Sequence, residues 1–177
     1  MPVRSLAEID ATGRKAARGC GCPWGLAEEA GKSARWLASH GYPGAEALAD
    51  LLNARDQCCT KGGAPCALLR AAALADRNAG ADGTPIDPGE DDPLLILAQM
   101  GRVADVTGDS YTVEGAFSAT IAPGSLRLDD RTTAPSPASR DVAEAAWATL
   151  THLSQRILVP ATDASRAGAG AGTRDTD

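Results

Sequence analysis

Apolar positions recur at helical spacing through most of the first 77 residues and again near the C-terminus, with short alternating runs between. Ser5-Leu6-Ala7-Glu8 has the form of a capping box, with Ser5 as N-cap and Glu8 reaching back to its N–H. It predicts a helix to about Arg18, with Leu6, Ile9, Ala16 and Ala17 as its apolar positions and Gly13 inside. Pro23 suits the first position of a second helix, where its missing N–H costs nothing. Cys22 then falls at the N-cap, and Gly41 supplies the left-handed residue that closes the helix after about His40. The short link Gly19–Cys22 makes the pair a helical hairpin.

Within the second helix, Leu26, Ala27, Ala30, Ala34, Leu37 and Ala38 share an arc of roughly 120°. The arc is mostly alanine, so its partner must approach closely. Glu28, Glu29, Lys32, Arg35 and Trp36 occupy the opposite arc. A third helix runs from Pro43 to near Arg55 with Leu48, Leu51 and Leu52 inward. After the link 56–64, Pro65 opens a helix through Arg77 that is apolar nearly all round, which leaves Arg70 and Arg77 to point outward. Residues 79–93 are glycine, proline and acid without periodicity, and read as a loop.

Residues 93–104 read two ways. Leu94-Leu95-Ile96-Leu97 suits a buried strand, but Asp92 as N-cap and Pro93 as first residue favour a helix. Gly108-Asp109 has the look of a two-residue turn between strands at 103–107 and 110–114, and 116–121 pairs with 125–128 across Pro123-Gly124. A small antiparallel sheet of three or four strands follows. The polar segment 129–139 reads as a connector. A long last helix spans about Ser139 to Leu158, with a stripe of Val142, Ala146, Thr149, Leu150, Leu153 and Ile157 that packs on the sheet or the hairpin. The predicted class is α+β: an N-terminal helical hairpin and further helices, a small antiparallel sheet and a long C-terminal helix. One domain covers 3–160, and the patternless tail 161–177 is expected to be disordered.

Composition narrows the function. Aromatic residues are only 3%, so the core must be built from alanine, leucine and valine. A net charge of −6 with no basic face argues against nucleic acid as a partner. No apolar run approaches the ~20 residues that span a bilayer, and the start MPVRSLAEID lacks a signal-peptide core, so no membrane partner is expected. Five cysteines, an odd number, are expected to be reduced thiols in the cytoplasm. Lys61-Gly62-Gly63 lacks the frame of a phosphate loop, and no cofactor is expected.

The candidate chemistry gathers on the second helix. Trp24, Glu28, Glu29, Lys32, Arg35 and Trp36 combine acid, base and indole, which is the make-up of a small-ligand site. The first reading is therefore a small-ligand binding or accessory protein, with the Lys32 ammonium able to lie over the Trp36 ring. A second reading is an enzyme. One of the adjacent carboxylates Glu28 and Glu29 would have its pKa raised and act as a general base, or Cys22 or Cys66, each beside a proline at a helix start, would be a reactive thiol. His40, at a helix C-terminus that favours a cation, and His152, on a polar helix face, fit no dyad or triad. A third reading is a structural subunit whose alanine-rich faces dock on another copy or another chain. No metal is expected: Cys20-x-Cys22 and Cys58-Cys59, with Cys66, lack the paired spacing of a zinc site, and Asp87, Glu90, Asp91 and Asp92 lack that of a calcium loop.

The motifs Ser5-Leu6-x-Glu8-Ile9, Lys15-Ala16-Ala17-Arg18-Gly19, Pro23-Trp24-Gly25-Leu26-Ala27-Glu28-Glu29-Ala30 and Arg35-Trp36-Leu37 resemble a bacterial family of domains of unknown function. They cover roughly the first 55 residues. The resemblance implies a small cytoplasmic bacterial protein and assigns no activity, cofactor or site residue.

Overall fold

The computed structural model describes residues 2–54, 66–76, 93–114, 118–128, 131–136 and 139–158. The first helix, α1 (Leu6–Gly19), starts as the capping box requires: the Ser5 N–H donates to Glu8 Oε2 at 2.8 Å, and the Glu8 N–H to Ser5 Oγ at 3.2 Å. It ends in a Schellman motif. Gly21 takes φ +86°, its N–H bonds to the Arg18 carbonyl, and the Cys22 N–H reaches back to the Ala17 carbonyl. The same closure, around Gly41, ends α2 (Trp24–Ser39). Helix α2 begins one residue later than its proline suggests. Pro23 is itself the N-cap, with extended ψ, and Cys22 belongs to the closing turn of α1.

Helices α1 and α2 form the predicted hairpin, and α3 (Gly44–Ala54) packs across both. The closeness demanded by the alanine arc is real: Ala27, Ala30, Ala34, Leu37 and Ala38 are buried, and Gly13 of α1 lies against Gly31 of α2. Since this chain's own helices cover that arc, it is not a surface left for another copy. Helix α4 (Ala67–Asp76) starts just after Cys66, and its Arg70 is half-buried rather than outward.

Residues 93–107 form one helix, α5 (Pro93–Thr107). The apolar run resolves as helix because Leu95–Met100 are all buried, with α5 packed against α2, α3, α4 and the strand at 118–122. The expected strand at 103–107 is the last turn of α5, which Gly108 terminates at φ +82°. Strand β2 (Tyr111–Glu114) therefore pairs forward with β3 (Ser118–Ala122). The turn Pro123-Gly124 leads from β3 into β4 (Ser125–Leu128), as predicted. The fourth strand of this antiparallel meander, β5 (Arg131–Thr133), lies in what the sequence presented as a connector.

A second correction concerns the C-terminal helix. It is not long: α6 (Glu144–Gln155) has 12 residues. Before it, β6 (Arg140–Asp141) pairs with β1 (Val3–Arg4), which ties the two ends of the domain together. Val142 is buried ahead of the helix, Leu150 and Leu153 are buried within it, and Ile157 is exposed past its end. Of the two packing partners expected for it, the hairpin is the one met: α6 packs on α1, and also on α3.

Among the described residues no helix is long and apolar enough to cross a membrane. The link with Cys58, Cys59 and Lys61–Gly63, the loop 79–92 with Asp87, Glu90, Asp91 and Asp92, Pro65, Arg77 and the tail 161–177 lie outside the described residues.

Candidate functional site

The six predicted site residues do not form one cluster. Trp24 stands apart: it is 64% exposed at the start of α2, with the Arg18 guanidinium stacked 4.6 Å from its ring centroid. Trp36 is the larger departure, being 7% exposed rather than on a polar surface. Glu29, Ser33 and Trp36 stand at i, i+4 and i+7 and make a second inward face of α2, directed at α5. On that face Gly101 of α5 leaves room for the indole, since a Cβ there would overlap the Trp36 ring. The Trp36 N–H donates to Asp105 Oδ2 at 2.9 Å.

Glu29 is the centre of a network bridging the two helices. Arg102 Nη1 donates to its Oε2 at 2.5 Å and Gln99 Nε2 to the same oxygen at 2.9 Å, while Lys32 Nζ reaches Oε1 at 3.2 Å. Ser33 Oγ donates to Gln99 Oε1 at 3.3 Å. Burial on its own would raise the Glu29 carboxyl. The hydrogen bonds from Arg102, Gln99 and Lys32 and the charge of Arg102 outweigh it and hold the pKa at about 2. This reverses the expectation of a raised carboxylate and general base at this position. Glu28 is exposed and, among the described residues, pairs only with Lys32, at 3.8 Å.

Beside the network opens a recess of about 460 Å³, a size usual for small-molecule sites. Lys32, Arg35, Trp36 and Ser39 of α2 form one wall. Leu6 and Asp10 at the start of α1, Arg102 of α5 and the pair Pro135-Ser136 complete the lining. The Ser136 N–H donates to the Ser39 carbonyl at 2.8 Å, which fixes that segment across the end of α2. Three of the predicted residues, Lys32, Arg35 and Trp36, thus meet in the recess, and Glu29 holds Lys32 and Arg102 from behind. Asp10, Arg102 and Ser136 were missed. Only Asp10 had a readable cue, because glycines at 13 and 31 in the two arms of a hairpin mark where the arms come closest.

The thiols do not fit the reactive role. Cys20, Cys22 and Cys66 are fully buried, so no solvent-borne reagent or substrate meets them in this state. Cys66 does precede α4, its carbonyl accepting the Arg70 N–H at 3.0 Å, but Cys22 is not a cap. Among the described residues no three His, Cys, Asp or Glu side chains gather as a metal site would need.

His40, expected as a cation at a helix end, is 2% exposed. Its ring lies on Trp36, centroids 3.8 Å apart, and Nδ1 is 2.8 Å from the Trp36 carbonyl. A carbonyl can only accept, so Nδ1 carries the proton. Nε2 is buried and has no hydrogen-bond partner among the described residues. Burial lowers the His40 pKa, and the opposing effects of the Trp36 carbonyl and the Asp105 charge are smaller. The native state stays neutral while the unfolded chain takes up a proton near pH 6.5, so stability is complete above that value and falls below it. We expect unfolding free energy to drop by up to about 1.4 kcal/mol per pH unit below 6.5. His40→Phe should remove that slope between pH 7.5 and 5.5, a window well above the one in which Glu29 titrates. Equal slopes in urea titrations of the two proteins would show that His40 is not the source. His152 is exposed on α6 and contacts none of these groups.

No curated protein and no solved structure matches the chain. Residues 4–82 match the family model described as "Protein of unknown function (DUF3726)", so α1 and α2, which supply most of the recess, lie in a domain of unknown function, as the N-terminal motifs imply and over a longer stretch than those motifs cover.

Proposed function

We propose that the protein binds a small polar molecule in the recess between α1, α2 and α5. One observation carries this reading. Lys32, Arg35 and Arg102, from two different helices, line one cavity that also has apolar surface from Leu6, Trp36 and Pro135. A few placed charges around an apolar body are what orient a small ligand. The enzyme reading has less support, because Glu29 is held as an anion and the described thiols are inaccessible.

A metabolite screen by thermal shift and tryptophan emission tests it, since Trp36 is part of the wall. Arg35 is the residue to remove. Its side chain is 54% exposed, and its ion pair with Asp10 is long, at 3.7 Å, so Arg35→Ala should change stability by less than about 0.5 kcal/mol. A charge-assisted hydrogen bond to a ligand contributes about 1.5–3 kcal/mol, so the same change should weaken a hit roughly 10- to 100-fold. Trp24→Ala, far from the recess, should leave it unaltered. A panel without hits, or a hit indifferent to Arg35→Ala, would end the proposal.

A further inference from the structure

We infer that the ligand of this recess is a zwitterion of the α-amino-acid type, with a carboxylate, an ammonium group and a short apolar side chain. The inference rests on the recess reading above and adds the chemical class. It comes from which charges around the cavity are already engaged. Lys32 and Arg102 share Glu29, and Lys32 also has Glu28 within 3.8 Å. Those two cations are hydrogen-bonded to a protein acid. Among the described residues Arg35 and Asp10 have only a long ion pair with each other.

Their N···O separation of 3.7 Å is beyond hydrogen-bonding distance, and neither side chain makes a hydrogen bond among the described residues. Among the described residues, then, a guanidinium and a carboxylate without hydrogen-bond partners stand side by side in the lining of the same cavity. Asp10 is the more sheltered of the two, its side chain 23% exposed against 54% for Arg35. It stays in place because Gly31 has no side chain to displace it.

Charge complementarity then excludes the simpler ligands. A carboxylate alone could bond to Arg35 but would bring its charge against Asp10. An amine alone could bond to Asp10 but would face Arg35. A molecule carrying both groups on one carbon answers both, since its charges are separated by about the same few ångströms. Its side chain would meet Leu6, Trp36 and Pro135, the apolar part of the lining.

The full chain is titrated by calorimetry with L-leucine, with 4-methylpentanoate, which lacks the amino group, and with 3-methylbutylamine, which lacks the carboxylate; the apolar L-amino acids from alanine to phenylalanine follow. L-leucine or a neighbour in that series should bind at least ten-fold more tightly than its two single-charge analogues. Asp10→Asn, which keeps the shape, should reduce that preference about ten-fold by weakening the zwitterion and relieving the carboxylate. If the carboxylate-only compound binds as well as the amino acid, or no amino acid of the series binds, the inference is overturned. The recess reading survives either result when the metabolite screen yields an Arg35-dependent hit of another charge type.

Discussion

Replacing Trp36 by alanine is expected to lower the unfolding free energy by about 3–5 kcal/mol, the cost of emptying a buried aromatic site. The indole fills the gap over Gly101, stacks on His40 and bonds to Asp105, so neighbours on two helices lose packing at once. None of them can close the gap cheaply, because the facing position on α5 has no side chain. Trp36→Phe should cost far less, about 1 kcal/mol, since most of the ring area stays and Asp105 is exposed enough for water to replace the lost N–H. Urea unfolding of the three proteins checks this. An alanine variant within 1 kcal/mol of the parent would mean that the ring does not hold α2 to α5.

The second large effect has a sign opposite to helix propensity. Gly31 lies inside α2, where exchanging glycine for alanine in an exposed helix gains up to about 1 kcal/mol. Here a Cβ would stand 2.5 Å from the Asp10 carbonyl oxygen and 2.8 Å from its Oδ1. The first of these is backbone and cannot turn aside, so α1 and α2 must separate. Overpacking of this kind costs about 1–3 kcal/mol. Gly31→Ala should therefore destabilise, while Gly25→Ala, whose Cβ would meet nothing within 4 Å, should be neutral or stabilising. Melting curves of the two variants decide it. Shifts of the same sign and size would show that the helices do not cross so closely.

The helical hairpin was readable because its signs are local: a serine three residues before a glutamate, a proline at a helix start, glycines where the chain must turn left-handed. Alanines at helical spacing correctly required a close partner. The misreadings arose where the deciding partner is distant in the chain. Arg140 and Asp141 look like a helix start until Val3 and Arg4 pair with them. Residues 131–133 are polar, and become a strand because β4 offers a free edge. Trp36 was placed on the polar arc opposite the alanines, whereas α2 is covered on more than one side and Ser33 and Trp36 lie on a second buried face. Arg102, 73 residues from Glu29, had no local mark at all.

Asp105 grips the Trp36 indole with one carboxylate oxygen and the Gly124 amide, at 2.7 Å, with the other. That single side chain rivets the β3–β4 turn to the cavity's aromatic panel. The position of that turn and the position of the indole in the recess wall are thus set by one and the same carboxylate.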